Sequence, residues 1–187
     1  NLGKKQGMCS ELYDNEKLMH SYTNKNDMLN GKCIERYKNG GKKSEILYRD
    51  GVKSGMDRFW TAEGLPVYDF RWKGGLKDGI QTEWSNKGLI KYKHSYSNNI
   101  LHGNFVEYFK DGQESIVGKY RGGTKHGEWT WNYQDGLVAL TGDFKNDIPI
   151  GTWYWIRANK SEMVNTDTPD LEWVNKRIRE WEKINGQ

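Results

Sequence analysis

The stretch "GMDRFWTAEGLPVYDFRWKGGLKDG", residues 55–79, holds the pattern that decides the fold. Gly55 opens a strand that runs to about Thr61, "AEGL" makes a turn, "VYDFRWK" returns as a second strand, and "GGLKDG" makes the next turn. Glycine adopts positive φ at turns with little steric cost, and Trp, Tyr, Phe and Thr suit a half-buried strand. The stretch therefore predicts one β-hairpin.

The hairpin pattern recurs along the chain. Gly55 belongs to a series of lead glycines spaced 24 residues apart; a second glycine series follows nine residues after the first, and an aromatic series seventeen residues after it. Three series in one register indicate an array of stacked repeats that bury apolar surface against their neighbours. The series are Gly7, Gly31, Gly55, Gly79, Gly103, Gly127 and Gly151; Gly40, Gly64, Gly88, Gly112 and Gly136; and Tyr48, Trp72, Tyr96, Tyr120 and Phe144.

Composition agrees with a β protein. Aromatic residues reach 13% and glycines number 22 among 187 residues, whereas a disordered chain would lack these aromatics. The long Val/Ile/Leu runs of a buried parallel sheet are missing. We predict an all-β fold: an elongated single-layer antiparallel sheet of repeated 24-residue β-hairpins over residues 1–157, a linker over 158–168 and a C-terminal capping helix over 169–187. About thirteen or fourteen short strands, roughly 4.8 Å apart, would span about 60 Å.

The repeat resembles the MORN repeat, in particular its bacterial variant form, through "DGVKSGMDRFWTAEG" (residues 50–64) and "GGTKHGEWTWNYQDG" (residues 122–136). The resemblance covers about residues 1–157. It implies a scaffold without catalytic residues of its own, since arrays of this family associate with proteins and membranes. Stand-alone bacterial members are similar to antitoxin or immunity partners. Glu16 replaces the second glycine of the first repeat and Tyr22 is out of register, so we expect that repeat to be irregular or a cap.

The histidines and cysteines do not predict a catalytic, cofactor or metal site. His102 and His126 share a position that elsewhere holds Asn, Ser, Asp, Ile or Gln, which favours a turn position over a general base. Cys9 and Cys33 are 24 residues apart. Equivalent strands would hold them roughly 9.6 Å apart, whereas a disulfide needs Cα atoms within about 7 Å. We expect two free thiols and no structural zinc.

Acidic residues also recur, four residues after a lead glycine. Equivalent positions lie about 10 Å apart on a sheet, near the separation that inverting glycosidases use for their two carboxylates. Nothing in the pattern would raise the pKa of one carboxylate and not the other, so a solvated face is the better interpretation. These residues are Glu11, Glu35, Glu83 and Glu107.

Aromatic residues predict the surfaces of the sheet. Alternation along a strand places Trp60, Trp84 and Tyr108 on one face, and we expect Trp72, Tyr96 and Tyr120 to join them there. In the last repeats the other face also becomes aromatic, through Phe105, Phe109, Trp129, Trp131, Tyr133, Trp153 and Trp155. A sheet that is apolar on both faces needs a cover at that end.

The C-terminal stretch "DTPDLEWVNKRIREWEKING" predicts this cover. Thr168 is a candidate N-cap, Pro169 suits the first helical position and Gly186 is a stop signal. One helical stripe carries Leu171, Val174, Ile178 and Trp181. We expect this stripe to pack over Trp129, Trp131, Trp153 and Trp155. Trp173 lies off the stripe, which predicts an exposed side chain or a partner contact.

The leading functional hypothesis is a non-enzymatic module that binds one protein partner through its aromatic surface. The resemblance implies a toxin or effector as that partner, neutralised by occlusion. The candidate partner-binding residues are Trp60, Trp72, Trp84, Tyr92, Tyr96, Tyr108, Tyr120 and Trp173. Basic residues form no long block and the net charge is only +4, which disfavours nucleic acid.

The alternative is a peripheral membrane scaffold, in which basic turn residues meet anionic phospholipid headgroups at about 1 kcal/mol per charge. The residues are Lys4, Lys5, Lys53, Lys77, Lys119, Arg121 and Lys125. A hydrolase on a β scaffold is a third and weaker hypothesis. The chain begins at Asn1 rather than Met, so a removed leader and a trimmed chain are both open alternatives, and we leave the compartment open between bacterial cytoplasm and periplasm. One alternative is that the array continues upstream of Asn1, and the oligomeric state is left open.

Overall fold

A computed structural model describes residues 3–156 and 163–186. It confirms the fold class: the described residues form one open antiparallel sheet of sixteen strands, followed by a helix. Strands that follow each other in sequence are neighbours in the sheet, except that the two-residue strands β3 and β8 pair only with β2 and β7. The elements are β1 (Gly7–Leu12), β2 (Leu18–Lys25), β3 (Met28–Leu29), β4 (Gly31–Arg36), β5 (Lys42–Arg49), β6 (Val52–Trp60), β7 (Pro66–Lys73), β8 (Leu76–Lys77), β9 (Gly79–Trp84), β10 (Ile90–Ser97), β11 (Ile100–Tyr108), β12 (Glu114–Arg121), β13 (Thr124–Asn132), β14 (Val138–Lys145), β15 (Ile148–Ile156), β16 (Met163–Asp167) and α1 (Leu171–Asn185).

The chain divides into two compact units. The N-terminal unit ends at Ile90 and also takes Tyr96–Asn99, and the C-terminal unit consists of Lys91–Ser95 and the chain from Ile100 onward. No helix in the described ranges is both long and apolar enough to span a membrane.

Each repeat is closed by the turn that the glycines predict. In the hairpin β6–β7, Gly64 donates its N–H to Thr61 O at 3.0 Å, and Thr61 donates to Leu65 O at 2.8 Å. The ladder places Gly55 opposite Trp72 and contains a β-bulge between Phe59 and Trp60. A bulge adds one residue to one strand and so changes which side chains share a face beyond it.

Successive repeats are also joined at their turns. Gly51 N–H donates to Leu29 O at 2.8 Å, and Gly75 N–H donates to Lys53 O at 2.9 Å. At the opposite ends of the strands, near the hairpin turns, the Tyr37 hydroxyl donates to the carbonyl of Trp60 at 2.8 Å. These bonds occur at equivalent positions of neighbouring repeats, so each repeat completes the hydrogen bonding of the next one.

The main hydrophobic core lies in the C-terminal unit, on the face that α1 covers. Its tryptophan rings pack on strand glycines: a Cβ atom on Gly118 would lie 2.3 Å from Trp129, and one on Gly142 would lie 2.2 Å from Trp153. The expected packing of the helix over the aromatic end is confirmed. The buried cluster consists of Phe109, Trp129, Trp131, Tyr133, Ala139, Leu140, Phe144, Trp153, Trp155, Val174 and Trp181.

Two details of the predicted helix are wrong. The N-cap is Asp170, whose side chain accepts a hydrogen bond from Trp173 N–H at 2.7 Å, so the helix starts two residues later than expected. Thr168 instead has φ 44 and donates its N–H to Gly151 O, which ties it to the end of the sheet. Leu171 is 48% exposed and lies outside the buried stripe.

The C-terminal connection also differs from the expected linker over 158–168. Its second half forms β16, which pairs antiparallel with β15 from Thr152↔Asp167 to Ile156↔Met163. The strand is possible because backbone groups at the edge of β15 are available for pairing. Its first half, up to residue 162, and the end of the array at residue 157 lie outside the described residues.

Candidate functional site

Strand pairing divides the side chains of each repeat between two faces. Lead glycines lie directly opposite the aromatic series, as in Gly55↔Trp72 and Gly103↔Tyr120. We call the face that carries this aromatic series the glycine face, and the opposite one the cleft face. Trp60 lies on the cleft face, because side chains alternate along β6. The prediction that Trp72, Tyr96 and Tyr120 share a face with Trp60, Trp84 and Tyr108 is therefore wrong.

The cleft face of the N-terminal unit contains an open cleft of about 240 Å³. Trp60 and Trp84 come from β6 and β9, the two neighbours of β7 in the sheet, and Pro66 of β7 lies opposite Trp60. Both tryptophans are half-buried. We call this site the tryptophan cleft; its lining residues are Arg58, Trp60, Pro66, Tyr68, Asp69 and Trp84.

An ion pair lies in the tryptophan cleft. Arg58 Nε donates to Asp69 Oδ2 at 3.1 Å across the strand pair, and the two side chains are 40% and 29% exposed. Asp69 in turn lies opposite Thr82 of β9, whose side chain is buried. Above the ring of Trp60, the Lys42 ammonium lies 5.8 Å from the ring centroid. Two tryptophans, a fixed guanidinium and a carboxylate can bind a ligand, but the arrangement contains no nucleophile and base in contact.

Aromatic residues on the glycine face mostly contact each other. Tyr92 stacks on His94 with a centroid distance of 4.3 Å, and His94 stacks on Phe105 at 3.9 Å. Tyr120 packs edge-on against Phe105 at 5.3 Å and against Trp129 at 5.1 Å. These predicted partner-binding residues therefore contribute to internal packing of the C-terminal unit.

Trp173 is not the exposed residue that its place off the helical stripe predicts. It is partly buried against the C-terminal core, and the Arg177 guanidinium carbon lies 5.2 Å from its ring centroid. Tyr108, the third aromatic predicted beside Trp60 and Trp84, is half-buried and has the Lys93 ammonium 6.0 Å from its ring centroid.

Three lysines expected at the headgroup surface lie over aromatic rings instead. Lys53 binds Asp57 and lies 5.1 Å from the ring centroid of Trp72. Lys77 lies 5.3 Å from the ring centroids of both Phe70 and Tyr96, which places Tyr96 on the glycine face.

The third of these lysines, Lys125, lies over the C-terminal core. Its ammonium is 4.9 Å from the ring centroid of Trp129 and 5.0 Å from that of Phe144. Burial lowers the pKa of Lys125, and the Asp147 carboxylate partly opposes that shift. Its ammonium therefore lies over aromatic rings and is partly shielded from solvent.

A thiol–imidazole contact in the first two repeats was not predicted. Both cysteines are free, as expected, and Cys33 Sγ lies 3.0 Å from His20 Nε2. The strand that carries His20 pairs on one side with that of Cys9 and on the other with that of Cys33. Burial, and then the Glu35 carboxylate, raise the pKa of the Cys33 thiol, which disfavours the reactive thiolate. Within the described ranges, no group of three or more His, Cys, Asp or Glu residues could hold a metal ion.

The remaining polar positions have structural contacts. Glu35 binds the Lys43 ammonium at 2.7 Å, and Glu107 lies 3.4 Å from His94 Nε2. His102 lies in β11, close to the turn, and its Nδ1 accepts a hydrogen bond from Gly122 N–H at 3.3 Å.

Comparison of the chain with protein-family models and with curated proteins finds no match. The likeness to MORN repeats therefore stays a resemblance of sequence pattern.

Proposed function

We propose that this chain is a non-enzymatic protein-binding module and that its partner docks on the tryptophan cleft. The observation that carries the proposal is the pair of half-buried tryptophans at one position of two successive repeats. The repeat does not require an aromatic residue there, because Arg36 and Asn132 occupy the same position in other repeats. Trp, Tyr and Arg supply most of the binding energy at protein interfaces.

The aromatic residues at the C-terminal end give a useful contrast. Trp129, Trp131, Trp153 and Trp155 are at most 2% exposed, because the sheet and α1 enclose them. Trp60 and Trp84, in contrast, border an open cleft. This difference supports a binding role for the tryptophan cleft rather than for the aromatic end.

The nature of the partner follows from the sequence resemblance alone. Bacterial MORN-like members that resemble antitoxin or immunity proteins suggest a toxin or effector. Occlusion of its active site or docking surface would then neutralise it. A binding surface suffices for this mechanism, and the protein needs no cofactor for it.

Comparative capture tests the proposal. The full chain, its Trp60→Ser/Trp84→Ser variant and a Tyr154→Ser control serve as baits in an extract of the native host. Tyr154 is 39% exposed and belongs to the C-terminal unit, so the control also removes an exposed aromatic ring. We expect a stoichiometric protein that wild type and control retain and that the double variant loses. Equal capture by all three baits would overturn the proposal.

A membrane-associated scaffold remains a second candidate, favoured by one specific observation. Apolar side chains recur beside the turns that join successive repeats of the N-terminal unit, where Met28, Val52 and Leu76 are 44%, 43% and 39% exposed. Apolar side chains beside basic ones are typical of surfaces that enter a bilayer interface. Flotation with anionic vesicles at low and moderate salt tests this candidate, with Val52→Glu/Leu76→Glu as the variant that should lose binding.

A further inference from the structure

We infer that the ligand of the tryptophan cleft is a proline-rich segment of the partner in the polyproline II conformation. This inference rests on the proposed function and adds the chemistry of the partner. Aromatic-lined grooves bind such segments because the polyproline II helix is already formed before binding and loses little entropy.

The spacing of the two tryptophans is the first argument. Trp60 and Trp84 occupy equivalent positions on β6 and β9, with β7 between them. Two strand spacings amount to about 9.6 Å. A polyproline II helix has three residues per turn and rises about 3.1 Å per residue, so its side chains repeat every ~9.3 Å. A segment that crosses the strands therefore presents every third residue to a tryptophan.

Charge and hydrogen bonding give the second argument. The Arg58–Asp69 pair neutralises itself inside the cleft, and Lys42 beside Trp60 is bound by Glu45 at 2.6 Å. The cleft thus favours a ligand without strong net charge. Arg58 contacts Asp69 through Nε, so its terminal N–H groups can donate to the ligand. A polyproline II helix has no internal hydrogen bonds, and all its carbonyls can accept.

These 187 residues do not themselves supply such a segment. The whole chain contains only three prolines, Pro66, Pro149 and Pro169, and no two of them are close in sequence. Pro66 itself lines the cleft, and Pro169 is buried in front of α1.

The experiment measures binding of degenerate peptide pools to the immobilised full chain. One pool fixes proline at positions i and i+3, a second fixes it at i and i+2, and a third has alanine at both fixed positions of the first. We expect the i, i+3 pool to be retained at least tenfold more than the other two. A peptide isolated from it should bind at least tenfold more weakly to Trp60→Ala and to Trp84→Ala, with Tyr154→Ala unchanged. Circular dichroism confirms that the variants are folded.

Equal retention of the three pools would overturn the inference, as would binding that survives both tryptophan substitutions. The capture experiment with the host extract tests the proposed function independently of the peptide pools. If capture of a host protein still depends on Trp60 and Trp84, the protein-binding proposal stands and only a proline-rich ligand is excluded. If neither the i, i+3 peptides nor a host protein binds in a way that depends on Trp60 and Trp84, both proposals are overturned.

Discussion

A single methyl group at Gly142 should severely destabilise the C-terminal unit. The Cβ atom of Gly142→Ala would lie 2.2, 2.4 and 2.5 Å from three ring atoms of Trp153, whereas real Cβ atoms essentially never approach closer than 3.0 Å. Gly142 has no positive φ, so the penalty is steric rather than conformational. The ring has little room to move, because Phe144 and Trp131 lie 5.0 and 6.3 Å from its centroid and Trp153 is fully buried.

The clash allows an estimate of the cost. Restoring ordinary contact requires a shift of about 1 Å in a close-packed core. Overpacking costs about 1–3 kcal/mol, and we expect a value of about 3 kcal/mol here. For a chain of this size each kcal/mol lowers Tm by about 2–4 °C, so the expected drop is about 6–12 °C.

Thermal unfolding followed by tryptophan fluorescence measures this change. Gly3→Ala is the matched control, since a Cβ atom there meets nothing within 4 Å, and it should leave Tm unchanged. The double variant Gly142→Ala/Trp153→Leu should lose less stability than the sum of its single variants, because the smaller side chain removes the clash. An unchanged Tm for Gly142→Ala, or strict additivity in the double variant, would show that the Trp153 ring does not rest on this glycine.

Three further predictions concern single groups. Burial, with Asp57 as a further cause, raises the pKa of Tyr68 from 10.0 to about 12. The stability that this shift contributes is present below pH 10 and should be lost as the pH rises through 12. Alkaline unfolding of the wild type measures this loss, and Tyr68→Phe should lack it. Cys33 in a Cys9→Ser variant should alkylate more slowly near neutral pH than a free thiol, because burial raises its pKa, and urea should remove the difference. Asp170→Ala removes the N-cap of α1 and should cost about 1 kcal/mol in chemical denaturation, whereas Asp170→Ser should cost less.

The period of the sequence predicted the hairpins, but it could not predict which aromatic residues share a face. Near the turn, Trp60 pairs with Pro66, and simple alternation from that pair would place Trp72 on the face of Trp60. The bulge between Phe59 and Trp60 shifts the register by one residue, so Gly55 pairs with Trp72 instead. A one-residue shift exchanges the faces of every side chain beyond it. Alternation within one strand was therefore a sound guide, and alternation carried around a bulge was not.

The errors at the C-terminal end have a similar local origin. Thr168, Pro169 and Asp170 all carry start signals for a helix, and sequence alone does not rank them. The backbone of Thr168 is already bound to Gly151, so the helix begins only after Asp170. The contact between His20 and Cys33 joins the irregular first repeat to the second one, and it depends on a strand pairing that the period does not show.

The two units share the same repeat, but they differ in which strand of the hairpin carries the large side chain on the glycine face. In the N-terminal unit a small or polar residue faces a bulky one, as in Cys33↔Ile46 and Asp57↔Phe70. In the C-terminal unit the order is reversed, and Trp129 faces Gly142. The Trp129 ring itself packs on Gly118 and the Trp153 ring packs on Gly142, and both rings belong to the buried cluster that includes residues of α1.

This difference has a consequence for function. The buried core of the C-terminal unit is formed by its glycine face and α1, and we expect changes on the cleft face of the N-terminal unit to leave that core intact. On the proposed function, Trp60 and Trp84 contribute to binding and not to this core. Substituting both should leave the cooperative unfolding of the C-terminal core intact while removing the partner, and that separation is expected of a binding site built on a repeat scaffold.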